Sequence, residues 1–237
     1  EIDKIISILA VTAILTIVVN GSSNLLVSSV SEHAAAEDFS RFFDASVAQD
    51  IRTSREVLQA GQGERRTTAV INIDLRGFSK LAADRDPSEV MQILSRYQGR
   101  VIPILKEHGA IIDKFMGDGI MATIGINKPD SAYSKAAVDA AEAILADCKK
   151  WHEEEPLLNS SGVDKIGIGI AGGEVAFGAV GQGNRLEMTV IGSPVNLSAK
   201  LEKHNKVVGS ECIFSQNLWE KALKEGYNGG LDPVLME

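Results

Sequence analysis

One ionisable side chain inside an otherwise apolar run constrains this chain more than any other feature. Residues 69–78 read AVINIDLRGF. Ala69, Val70, Ile71, Ile73 and Leu75 are small or branched, and Gly61, Gly63 and Gly77 bound the run, which is the pattern of a buried strand. Asp74 sits within it. Burying a carboxylate costs on the order of several kcal/mol unless positive charge compensates it, so a basic side chain or a metal cation must lie close by. On this strand alone, both partners remain open.

A second acid changes the balance. Residues 110–116 and 119–126 are two further strand-like runs separated by Gly117-Asp118-Gly119. Asp-Gly between apolar runs signals a tight hairpin, with Asp118 at its tip. If that hairpin pairs beside the Asp74 strand, two carboxylates converge at one end of a sheet. Hard divalent cations that also hold phosphate oxygens are bound by such pairs together with backbone oxygen and water. Taken singly, Asp118 reads better as a plain turn residue.

Composition narrows the partners. The net charge of −8 offers no basic stripe for nucleic acid. Cys148 and Cys212 lack paired spacing, which argues for a reducing compartment and against a zinc or disulfide framework. Residues 5–19 carry no charge and only three polar side chains. That is short of the ~20 residues a bilayer span needs, so the segment reads as the end of a transmembrane helix or as a packing helix. Its acidic flank is wrong for a secretory signal. From 21 to 63, Leu26, Val30, Phe39, Phe43, Val47 and Ile51 suit one face of a helical connector, and Gly61-Gln62-Gly63 marks a boundary.

The remaining pattern alternates helices and strands. Helices are expected over 87–109 and 132–151, and strands over 165–171 and 174–180 joined at Gly172-Gly173. Another strand follows at 188–191, a short one at 212–215, and a helix at Gln216–Lys224. This indicates an α/β or α+β sandwich. In residues 189–206, Ser193 can cap a helix with Pro194 in its first turn. Asn196 and Lys200 then share one face and Leu197 and Leu201 another. This is either an ordinary amphipathic helix or an amide and an ammonium presented together toward a phosphate.

Taken jointly, these stretches resemble the catalytic domain of class III adenylyl and guanylyl cyclases of the bacterial, homodimeric type. Asp74-Leu75-Arg76-Gly77-Phe78 is similar to the first metal motif of that family and Lys114-Phe115-Met116-Gly117-Asp118 to its second. Gly167-Ile168-Gly169-Ile170 followed by Gly172-Gly173-Glu174 resembles its central strand pair. Thr189-Val190-Ile191-Gly192 with Val195-Asn196-Leu197 resembles the segment bearing its nucleotide-selecting and transition-state positions.

The resemblance implies an α+β fold with a ferredoxin-like βαββαβ core. It divides the chain into an apolar segment (1–20), a helical signalling connector (21–63) and a cyclase domain (64–237). The implied reaction converts ATP to 3′,5′-cyclic AMP and pyrophosphate for intracellular signalling. Asp74 and Asp118, with the Leu75 carbonyl, would hold two Mg²⁺ or Mn²⁺ ions per site. Lys114 and Thr189 would read the purine edge, a Lys favouring adenine where guanine-selective members carry a carboxylate. Asn196 would orient the ribose, Lys200 would stand where the family usually has Arg, and Arg185 would contact phosphate. Two protomers would share each site, anchored at the inner membrane with the catalytic domain in the cytoplasm. The sequence stops short of the family's final hairpin and its phosphate-binding Lys. Rival readings are a guanylate or mixed-specificity cyclase and a catalytically weak regulatory domain.

Overall fold

The computed structural model describes residue 61 and residues 63–127, 131–161, 165–182 and 185–236, all within one compact unit spanning Glu56–Glu237. The expected apolar segment (1–20) and the connector as far as residue 60 lie outside the described residues, and Gly63 at its expected end already belongs to the first strand. Among those described, no helix is long and apolar enough to cross a membrane.

The chain runs β1 (Gly63–Leu75), α1 (Phe78–Asp84), α2 (Pro87–Glu107), β2 (Ala110–Met116), β3 (Gly119–Ile124), α3 (Tyr133–Cys148), α4 (Trp151–Glu154) and α5 (Pro156–Ser161). It continues through β4 (Ile166–Gln182), β5 (Arg185–Ile191), α6 (Ser193–Val208), β6 (Cys212–Phe214) and α7 (Gln216–Lys224). The sheet order is β2-β3-β1-β4-β5, with β6 added beside β4. β1 is antiparallel to both β3 and β4, so the first four strands and the helices between them form the expected βαββαβ core, an α+β fold.

Strand alternation sorts β1 into two faces. Ala69, Ile71, Ile73 and Leu75 join Ile166, Ile168 and Ile170 of β4 in a core with Ile93, Tyr97, Val101 and Leu105 of α2 and Ala137, Ala141 and Ile144 of α3. Val70 turns the other way, into a smaller cluster with Met121, Val175, Phe177 and Val190. Asn72 also turns that way, and its amide donates to Ser198 Oγ of α6 at 2.7 Å. Asp74 follows the same period and so stands on the α6 side of the sheet.

Three expectations change. Gly172-Gly173 is not a turn: β4 continues through it, pairing with β1 without a break from Gly63↔Gly178 to Leu75↔Ile166. Glycine is required there because a Cβ on Gly172 would lie 3.0 Å from Leu218 and one on Gly173 2.9 Å from Pro194. In α6 the buried stripe is Pro194, Ser198, Glu202 and Asn205 rather than the leucines. The helix backbone lies so close to β4 that a Cβ on Gly169 would meet Ser198 O at 2.2 Å, and only small or locally bonded side chains fit between them. Ser193 makes no capping bond, and Gly192 occupies the cap position. The short helices α1, α4 and α5 have no counterpart in the sequence reading.

On the helical side, Arg100 of α2 donates from Nε and Nη2 to the two oxygens of Asp147 on α3 at 2.8 and 2.6 Å, and from Nη2 to Glu154 of α4 at 2.7 Å. Trp151 Nε1 donates to the same Asp147 at 2.9 Å. The Arg100 guanidinium holds the Asp147 carboxyl below its ordinary range. This contribution to stability is therefore complete above the unfolded value near pH ~4 and is lost as pH falls through the lower folded value. Arg100→Ala is expected to lower unfolding free energy by about 2 kcal/mol at neutral pH. By urea denaturation, the variant should also lose stability less steeply than wild type as the pH is taken below about 4.

Candidate functional site

Two acids meet where β1 ends. The β2–β3 hairpin turns on Gly117 and Asp118, with Gly117 at φ 67° and Gly119 already paired to Met116 in β3. The tight turn thus uses Gly-Asp, one residue earlier than the Asp-Gly signal suggested, and leaves Asp118 beside the last residues of β1. Its Oδ2 accepts the Leu75 N–H at 3.2 Å. Burial, together with a hydrogen bond to the neighbouring Asp74 carboxyl, pushes Asp118 up to about 7. The one cation paired with Asp74 is Lys206 of α6, at 3.3 Å on Oδ2 and half exposed, among the described residues. Such an exposed pair contributes little. Two carboxyls pressed together, one of them driven toward its protonated form, with a single solvated ammonium nearby, form a donor set that fits divalent cations.

A third acid lies behind them. Glu202 is buried, and both its Oε1 and the Nε of Arg76 are buried without a hydrogen-bond partner among the described residues. Gly167 leaves room for both, since a Cβ there would meet Glu202 Oε1 at 2.6 Å and Arg76 Nε at 3.1 Å. Burial and the Asp74 charge raise the Glu202 carboxyl. Arg76 Nη2 is anchored on Ser210 O at 2.8 Å. Glu202 and Lys206 were missed in the sequence because α6 reads as a leucine-faced helix.

The second group forms where β2 approaches β5. Lys114 Nζ lies 2.5 Å from Glu187 Oε1 and 3.6 Å from Asp113 Oδ2, while Thr189 Oγ1 donates to Asp113 Oδ2 at 2.8 Å. Adjacent strand residues ordinarily point to opposite faces. Here the register shifts between Ile112 and Lys114, a bulge that lets both Asp113 and Lys114 reach β5. Burial tends to lower the Lys114 ammonium, but the Glu187 hydrogen bond and the Asp113 charge outweigh it and the net direction is up. Burial raises Asp113, opposed by the Thr189 hydrogen bond and by Lys114. Lys114 and Thr189 thus both reach the Asp113 carboxylate. Asp113 and Glu187 were not singled out, and only their spacing of one from Lys114 and two from Thr189 could have pointed to them.

Asn196 and Lys200 project from α6 and are exposed. No hydrogen bond or ion pair links them to Asp74 or Asp118 among the described residues. Lys206, which does reach Asp74, lies roughly 9 Å beyond Lys200 and 15 Å beyond Asn196 along the helix at ~1.5 Å per residue. Arg185 opens β5, but its side chain lies outside the described residues. Apolar Phe115, Met116, Ile191 and Leu197 are also exposed.

The sequence signature of the adenylate and guanylate cyclase catalytic domain matches residues 62–210. An uncharacterised protein of Mycobacterium tuberculosis is 32% identical over 203 residues, covering 85% of this chain and 35% of that protein. An adenylate cyclase of Anabaena cylindrica is 28% identical over 166 residues, covering 69% of this chain and 32% of the cyclase. The chain therefore spans about a third of the length of the curated relatives it matches. A bacterial light-regulated adenylyl cyclase shares the fold with a TM-score of 0.71 at 22% identity, over 84% of this chain and 56% of that one. The guanylyl cyclase Cya2 superposes with a TM-score of 0.60 at 28% identity, over 68% of this chain and 80% of that one. The paired acids at the end of β1, the Lys-Thr pair between β2 and β5 and the family signature spanning both coincide, and the chain belongs to the class III adenylate and guanylate cyclase family.

Proposed function

We propose that this domain is an adenylate cyclase that works as a homodimer, converting ATP to 3′,5′-cyclic AMP and pyrophosphate. The observation that carries the reading is that Lys114 and Thr189 both reach Asp113 Oδ2 on the same subunit as the acid pair Asp74 and Asp118. An ammonium donor faces adenine N1, and a hydroxyl oxygen accepts from the 6-amino group. The Anabaena relative supports adenine as the base.

In the reaction the ribose 3′-oxygen forms a bond to the α-phosphorus as the bond to the β-phosphate oxygen breaks, and the hydroxyl proton leaves to solvent. Asp74 and Asp118, with the Leu75 carbonyl, hold the cations. Bound Mg²⁺ or Mn²⁺ supplies Lewis acidity at the hydroxyl and at the polyphosphate. Asn196 holds the ribose in line, and Lys200 sets a positive charge against the pentavalent phosphorus. Arg185 would contact the phosphates, as the family resemblance implies. Lys200 offers a point charge where a planar guanidinium would grip two oxygens.

The separation of Asn196 and Lys200 from the acid pair along α6 supports a site shared between protomers, and the exposed Phe115, Met116, Ile191 and Leu197 supply an apolar face for that pairing. Anchoring through residues 5–19 and signalling through residues 21–63 complete the reading, with catalysis on the cytoplasmic side. A second reading, mixed specificity for GTP, draws on Glu187. Its carboxylate beside Lys114 is an acceptor suited to the N1–H and 2-amino edge of guanine.

Four outcomes are expected. Purified protein with Mn²⁺ and equimolar ATP and GTP should yield mainly cyclic AMP, and equal products would overturn the adenylate assignment. Asp74→Ala and Asn196→Ala should each lose more than ~100-fold in turnover. Mixing the two variants should restore about a quarter of wild-type activity, because half of the randomly formed dimers keep one intact site of two. No recovery on mixing would rule out the shared site. Lys200→Arg should raise kcat by roughly tenfold, worth ~1.4 kcal/mol of transition-state stabilisation.

A further inference from the structure

The specificity of the Lys114–Thr189 pair is not complete without a third side chain. A threonine hydroxyl free to rotate can accept a hydrogen bond from the 6-amino group of adenine or donate one to the 6-oxo group of guanine, and so distinguishes the two weakly. Here it is not free to rotate. Its proton is committed to Asp113 Oδ2 at 2.8 Å, and Thr189 is itself 7% exposed. The Asp113 side chain is 6% exposed and cannot turn away to water. Its carboxylate faces the Lys114 ammonium at 3.6 Å. The bulge between Ile112 and Lys114 aims it at β5.

We propose that Asp113 is a positioning residue for base selection: by taking the Thr189 proton it leaves only lone pairs on Oγ1, so that the hydroxyl accepts from an exocyclic amine and repels a carbonyl oxygen. The proposal rests on the adenylate cyclase reading and deepens it. Asp113 does not touch the nucleotide; it acts through Thr189. A carboxylate is an obligate acceptor, whereas an amide in its place offers both donor and acceptor atoms and frees the hydroxyl to point either way. Asp113 thereby opposes Glu187, whose carboxylate beside Lys114 favours the guanine edge.

The test is the ratio of cyclic AMP to cyclic GMP formed from equimolar ATP and GTP, with KM measured for each. Asp113→Asn is expected to lower that ratio about tenfold, chiefly through a higher KM for ATP and a lower KM for GTP, the effect of freeing one hydrogen bond at the base. Thr189→Val should lower the ratio comparably, and adding Asp113→Asn in the Val background should change it no further. A purely structural role for Asp113 would reduce turnover of both nucleotides alike and leave the ratio in place, which would overturn the proposal. So would a ratio shift that persists undiminished in the Val background. Should Asp113→Asn fail to fold, Thr189→Val alone decides: an unchanged ratio overturns the proposal, and a lowered ratio supports it. A wild-type protein with no preference for ATP would remove the underlying adenylate reading. A preference for ATP that survives Asp113→Asn would remove only this inference.

Discussion

The unbroken antiparallel pairing of β1 with β4, from Gly63↔Gly178 to Leu75↔Ile166, is what the rest of this domain hangs on. With β3 on its other edge, β1 has neighbours on both sides and its side chains are committed to two faces. One face closes over α2 and α3 in an aliphatic core. The other meets α6, whose polar stripe approaches the glycines of β4 within backbone contact distance. Pairing at this length sets where β1 stops, and so where Asp74 stands. It also brings the hairpin to a register at which Asp118 can accept the Leu75 amide.

Charge at the end of β1 is left deliberately unbalanced. Asp74 and Asp118 lie together with Glu202 buried behind them, while Arg76 Nη2 is bound to Ser210 O and Lys206 reaches Asp74 from solvent. A fold selected for stability alone would neutralise this cluster with a doubly hydrogen-bonded guanidinium, as it does for Asp147 with Arg100 on the opposite side of the sheet. The contrast between the two sites separates structure from function. Where the ion pair is complete the acid is held ionised, and where it is not, Asp118 is pushed up to about 7.

The contact between β2 and β5 illustrates a different constraint. Lys114 and Thr189 lie on strands far apart in the sheet order, and neither strand's own period would bring Asp113 and Lys114 to the same place. A single bulge in β2 does so. It converts an ordinary neighbour of the lysine into a buried acceptor for Thr189, and a side chain that looks adaptable in the sequence is fixed in one orientation.

The sequence by itself determined the strands, the main helices and the positions of the two acids Asp74 and Asp118 within them, because two- and 3.6-residue periods and glycine punctuation are local properties of the chain. The spacing of Asp74, Lys114, Asp118, Thr189 and Asn196 also carried the family, since residue order survives whatever the packing does. It misplaced the Gly172-Gly173 segment, because glycine in a turn and glycine under a closely packed helix look the same until the helix is in place. It read α6 by its leucines for a similar reason: which face is buried depended on the glycines of β4. Only the tertiary structure decided that Asp113 and Glu187 belong with Lys114 and Thr189 and that Glu202 and Lys206 flank Asp74. Such contacts join residues tens of positions apart through a bulge and a helix docking that no local pattern encodes.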